Sequence, residues 1–114
     1  MCRVIMAADG RPHEPIAFQV LTTWLKRLRG LLGTSEDADP VALMRCRSIH
    51  TFAMAYPIDI AFVDEGGWIL DAIRALEPNR RASSPDAFIT LERPAADTPW
   101  FETGERLSIC SVMD

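Results

Sequence analysis

Nowhere in this 114-residue chain does an apolar run approach the roughly 20 residues needed to cross a bilayer. Val4 to Ala8 is too short for the apolar centre of a signal peptide. Cysteine is scarce: Cys2, Cys46 and Cys110 form an odd set with no Cys-x-x-Cys pair, which argues against a disulfide framework and a zinc knuckle and fits a reducing, cytoplasmic setting. Basic charge is not in excess either. The formal net charge is -4, so the composition does not indicate a nucleic-acid-binding domain. No Gly-x-Ser-x-Gly turn presents a nucleophile, and no internal repeat is found. What remains is the composition of an ordinary globular protein, and the length suits one core, so residues 1–114 are expected to form a single domain.

Two apolar pieces, Val4 to Met6 and Ile16 to Leu21, flank the turn-like Asp9-Gly10-Arg11-Pro12 and read as a pair of strands. From Thr22 the period changes. Leu21, Trp24, Leu25, Leu28, Leu31 and Leu32 fall three or four apart, with Lys26, Arg27 and Arg29 on the other side, predicting an amphipathic helix capped by Thr22 or Thr23 and ended at Gly33. Thr34 to Pro40 reads as a polar surface loop. Strands are expected at Val41 to Cys46, Ile49 to Met54 and Ile58 to Asp64, the last joined through Glu65-Gly66-Gly67 to Trp68–Ile73 as a hairpin. Pro78 to Pro85 reads as an exposed loop, Ala87 to Glu92 as a strand, Asp97 to Phe101 as one helical turn, and Arg106 to Val112 as the last strand. The expected class is therefore α+β: a mainly antiparallel, curved or barrel-like sheet with one amphipathic helix and a short helical turn.

Polar residues inside apolar runs need a reason to be there. Alternation puts Asp59 on a face with Ala61 and Val63, opposite Ile58, Ile60 and Phe62. Buried, it calls for a cation or several donors, with Arg27, Arg29 or His50 as candidates. One reading is a structural ion pair; the other has Asp59 orienting His50 as an acid or base. His50 beside Ser48 and Thr51 invites a hydrolase reading, but on a strand Thr51 points to the opposite face and Ser48 lies about 7 Å away. Cys46, His50 and Met54 are spaced by four. They would share a helix face, but on a strand each step is about 13 Å, which excludes a common metal. Arg27 and Arg29 with Lys26, and separately Arg80 and Arg81, form small basic groups that read as solvated faces.

Several ordered segments resemble one family, the bacterial and archaeal domain of unknown function 192. Arg27-Leu28-Arg29-Gly30-Leu31-Leu32-Gly33 is similar to its Arg-x-Arg-Gly-Leu-Met segment, and Ser48-Ile49-His50-Thr51-Phe52-Ala53-Met54 to its Ile-His-Thr-Phe-x-Met segment. Tyr56-Pro57-Ile58-Asp59-Ile60-Ala61-Phe62-Val63-Asp64 resembles its Pro-Ile-Asp-Val-x-Phe-Leu-Asp strand, and Leu76, Pro78, Leu91-Glu92 and Gly104-Glu105-Arg106-Leu107 follow in order. Two departures stand out: the glycine usual after Leu-Glu is missing from Arg93 to Asp97, and Glu105 replaces the commoner aspartate. The resemblance implies a small β-rich domain and no established activity. Many members look exported.

The positions that match the motifs, Arg27, Arg29, His50, Thr51, Met54, Asp59 and Glu92, are the candidate binding residues. The leading expectation is a non-enzymatic binding or accessory module for an unknown small molecule or protein, with a pocket near His50 and Asp59 and no cofactor, metal or nucleic acid. Two alternatives are carried: a small hydrolase-type enzyme using His50 with Asp59 or Glu92, and a structural, self-associating domain with Trp68 or Trp100 in the contact. The oligomeric state is left open.

Overall fold

A computed structural model of the chain describes residues 2–9, 15–23, 30–31 and 33–113. Nine strands run in order: β1 (Arg3–Ala8), β2 (Ile16–Leu21), β3 (Val41–Met44), β4 (Ser48–His50), β5 (Ile58–Val63), β6 (Ile69–Leu76), β7 (Arg81–Ser83), β8 (Ile89–Pro94) and β9 (Leu107–Met113). Seven form one sheet in the order β6-β5-β8-β3-β2-β1-β9, and β4 and β7 form a separate ribbon. Every pairing is antiparallel except β2 with β3, whose parallel register (Gln19↔Val41, Leu21↔Leu43) makes the connection 22–40 a crossover.

The sheet curls until its edge strands meet at one end. Trp68 and Arg106 bridge, the Ile69 amide donates to the Glu105 carbonyl at 2.8 Å, and the Leu107 amide donates to the Gly67 carbonyl at 2.7 Å. The β5–β6 turn that reaches this seam is held by Asp64, whose Oδ1 accepts from the Gly66 and Trp68 amides. The result is a curled half-barrel with both faces covered, and β5 is accordingly buried at every position. Ala61 and Val63 join Val4, Met6, Phe18, Leu91, Trp100 and Phe101 on one face. Ile58, Ile60 and Phe62 join Leu21, Leu31, Leu43, Ile49 and Tyr56 on the other.

Several expectations are corrected. Among the described residues there is no helix, so the α+β class gives way to an all-β one. The expected amphipathic helix lies mostly outside the described residues: Leu21, its first apolar position, ends β2, and Gly30 and Leu31 sit in a turn. The helical turn at 97–101 is replaced by an irregular segment. Burial of two aromatics outweighs the local capping signal there, with Trp100 and Phe101 each packed against Phe18 and the Trp100 indole donating to the Ile60 carbonyl at 3.0 Å. The strand expected over Ile49–Met54 stops at His50, because Thr51 turns to bond the 77–80 loop and Ala53 adopts φ +62. The loop expected at 78–85 contains strand β7. Among the described residues, no helix is long and apolar enough to cross a membrane.

Candidate functional site

A cavity of about 300 Å³ lies between the β2–β3 pair and the described part of the crossover that includes Gly30, Leu31, Thr34 and Ala38. Leu21 and Val41 supply its floor from the two parallel strands, and Gly30, Leu31 and Ala38 supply apolar wall. Gln19, Thr34 and Asp39 supply polar groups. The wall is fixed by the Thr34 amide donating to the Leu31 carbonyl at 3.1 Å, by the Thr34 hydroxyl meeting the Tyr56 hydroxyl, and by the Ala38 amide donating to the Ser35 carbonyl at 3.0 Å.

Glu92 lies behind this wall. It stands opposite Val41 in the β3–β8 register and is 4% exposed. Gly30 takes φ +50, and a Cβ there would come within 3.0 Å of Glu92 Oε1, so the close approach of backbone to carboxylate needs glycine. Desolvation pushes the Glu92 carboxyl up to about 7, partly opposed by a hydrogen bond from the Leu31 backbone. A carboxyl poised there is half protonated near neutral pH and can donate as well as accept.

Asp59 is buried at 1% exposure and fully engaged. Its Oδ1 accepts from the Ala75 amide at 2.8 Å and its Oδ2 from Arg93 Nε at 2.9 Å, with Arg74 Nε 3.5 Å away. Arg93 continues to the Thr98 carbonyl and hydroxyl at 2.8 and 3.1 Å, and its guanidinium lies 4.6 Å from the Trp100 ring centroid. Among the described residues the cations at Asp59 are thus Arg93, its cross-strand neighbour, and Arg74, and not His50; Arg27 and Arg29 lie outside the described residues. The pair ties β5 and β8 to the irregular segment.

The structure does not bring His50 to Asp59. β4 directs Ile49 inward, so His50 faces solvent, stacked on Phe52 with centroids 5.0 Å apart. The expected arrangement in which Asp59 orients His50 is therefore not formed. Thr51 is fully buried; its hydroxyl donates to the Glu77 carbonyl at 2.7 Å and accepts from the Arg80 amide at 2.8 Å, leaving it bound as a clasp. Met54 is half-buried against the cluster around Tyr56 and Ile58. Arg27 and Arg29 lie outside the described residues, immediately before the Gly30 that walls the cavity in sequence. Among the described residues, no three His, Cys, Asp or Glu side chains gather as a metal would require.

Sequence reasoning missed Arg93 and the cavity wall. For Arg93 a signal existed: Leu91-Glu92-Arg93 alternates two charges onto opposite faces of an otherwise apolar strand. Thr34, Ala38 and Asp39 carried none, because they line a cavity only once β2 and β3 pair in parallel.

Two solved structures share the fold. One, described as a "putative transcription regulator" from Sinorhizobium meliloti 1021, aligns with a TM-score of 0.76 at 17% identity over 95% of this chain and 92% of its own. The other, a protein of unknown function from Novosphingobium aromaticivorans DSM 12444, gives 0.69 at 13% identity over 94% and 83%. No curated protein matches the chain. Residues 4–109 match the family of domain of unknown function 192, described as "Uncharacterized ACR, COG1430", and the chain belongs to that family.

Proposed function

We propose that the chain is a non-enzymatic binding module, and that its small-molecule site is the cavity between the β2–β3 pair and Gly30, Leu31, Thr34, Ala38 and Asp39, displaced from the His50 and Asp59 neighbourhood to the side backed by Glu92. One observation carries this reading: a concavity of about 300 Å³ combines apolar walls with Gln19, Thr34 and Asp39. That is the size and mixture typical of sites for small organic ligands. The hydrolase reading lacks comparable support, since the Thr51 hydroxyl is engaged, His50 faces solvent and Asp59 is held by Arg93. A reducing location such as the cytoplasm is part of the same reading, supported by three free thiols.

A thermal-shift screen of metabolite-sized compounds tests it. Compounds that raise the melting temperature of the wild type are expected to have no effect on Ala38→Phe, whose ring fills the cavity. Hits that stabilise both proteins equally, with the variant folded by circular dichroism, would place the ligand elsewhere and end this reading.

A further inference from the structure

The chain is acidic overall, yet its charge is segregated. Residues 45–57 and 78–84 contain no aspartate or glutamate and hold four of the twelve basic side chains: Arg45, Arg47, Arg80 and Arg81. Folding brings the two stretches together, because β4 and β7 pair with Ser48 opposite Ser83 and His50 opposite Arg81. Ile49 and Ala82 point inward, so the outer face of the ribbon presents Ser48, His50, Arg81 and Ser83. Phe52 completes it. The ring is 38% exposed, stacks with the His50 imidazole, and carries the Arg81 guanidinium 5.1 Å from its centroid. Arg81 has no carboxylate partner among the described residues, and Arg80 meets Glu77 only at 3.9 Å on the surface.

Backbone clasping presets this face. Thr51 joins the turn bearing Phe52 to the loop bearing Arg80 through its hydroxyl, its amide to the Arg80 carbonyl at 2.8 Å, and its carbonyl from the Asn79 amide at 3.0 Å. Ala53 and Asn79 accept left-handed backbone to make the join, at φ +62 and +65.

We propose that the outer face of the β4–β7 ribbon binds single-stranded nucleic acid, with the His50–Phe52 stack meeting bases and Arg81 on that face, joined by the exposed Arg47 and Arg80 just outside the ends of the two strands, meeting phosphates. Two adjoining stretches without an acidic residue, bordered by Glu77, complement a polyanion in charge, and exposed rings interleaved with guanidinium groups and hydroxyls suit a strand that offers both flat bases and repeated phosphates. An acidic peptide supplies the charge without the bases. A lipid surface calls for a broader apolar wedge than one phenylalanine.

The test is fluorescence anisotropy of a labelled oligothymidylate of about 12 nucleotides, titrated with the full chain over a salt series. The wild type is expected to bind, with affinity falling linearly in log–log form as salt rises. Phe52→Ala should weaken binding about tenfold while leaving the salt slope unchanged, because stacking releases no counterions. Arg81→Gln, and independently Arg47→Gln, should lower the slope by about 0.7 each. Ala38→Phe should bind as the wild type does, which separates this surface from the cavity. No binding by the wild type at low salt, an unchanged affinity in folded Phe52→Ala, or equal binding to polyglutamate or to phosphatidylglycerol vesicles would overturn the proposal.

Discussion

Glu92 is expensive as an anion because burial removes its water and the Leu31 backbone returns only part of that solvation. Below its ordinary value of 4.5 the folded and unfolded chains both hold the proton; between there and about 7 only the folded chain does. Stability therefore falls as pH rises through this window, by about 3 kcal/mol at its end. Urea melts at pH 5 and pH 8 should show that loss in the wild type, and Glu92→Gln should largely remove it; an equal loss in the variant would assign the pH dependence to other groups. Asp59 has the opposite circumstances, a buried carboxylate with a guanidinium and backbone donors around it. Asp59→Ala leaves Arg93 buried without its anion and should cost about 3–5 kcal/mol, whereas Asp59→Leu combined with Arg93→Met should cost much less. Denaturant midpoints of the two proteins decide it: if the double variant is the less stable, the pair contributes more than mutual compensation.

At the level of elements, the parts legible in sequence are those whose causes are local. The β5–β6 hairpin shows itself in the alternation of Ile58, Ile60 and Phe62 and in Gly66-Gly67, and Asp59 stands out as a carboxylate in that run. Arg93 as its partner is not legible there, because register between β5 and β8, not proximity in sequence, brings the two together. The end of β4 was illegible for the same reason. A threonine with β propensity follows His50, but its hydroxyl and amide are claimed by Glu77 and Arg80, far along the chain. Thr51→Val keeps the shape and deletes those hydroxyl bonds, leaving the Arg80 amide without its acceptor; a loss of about 1–3 kcal/mol is expected, with faster amide exchange in β4 and β7 than in β5 and β8. Uniform acceleration across all strands would show that the ribbon does not open by itself.

For the molecule as a whole, curvature buries apolar surface that a flat sheet would leave open. A flat sheet of seven strands would need a separate layer on each face; curling brings β6 and β9 together and lets Trp100 and Phe101 fill the enclosed side. The seam is narrow, resting on the Trp68–Arg106 bridge, the Ile69 and Leu107 amides, and the Gly104 amide donating to the Ile69 carbonyl at 2.9 Å. Gly67 sits in it with φ +88, and a Cβ there would stand 3.3 Å from the Leu107 carbonyl oxygen. Gly67→Ala therefore adds backbone strain and crowds the joint, at an expected cost of about 1–3 kcal/mol. If the seam is what keeps the half-barrel curled, hydrogen exchange should quicken at Ile69 and Leu107 while the β2–β3 pair, at the middle of the sheet, keeps its protection. Exchange that rises equally in β2 and β3 would mean that seam and sheet centre open as one unit, and that the curl is maintained by the packed aromatics rather than by the joined edges.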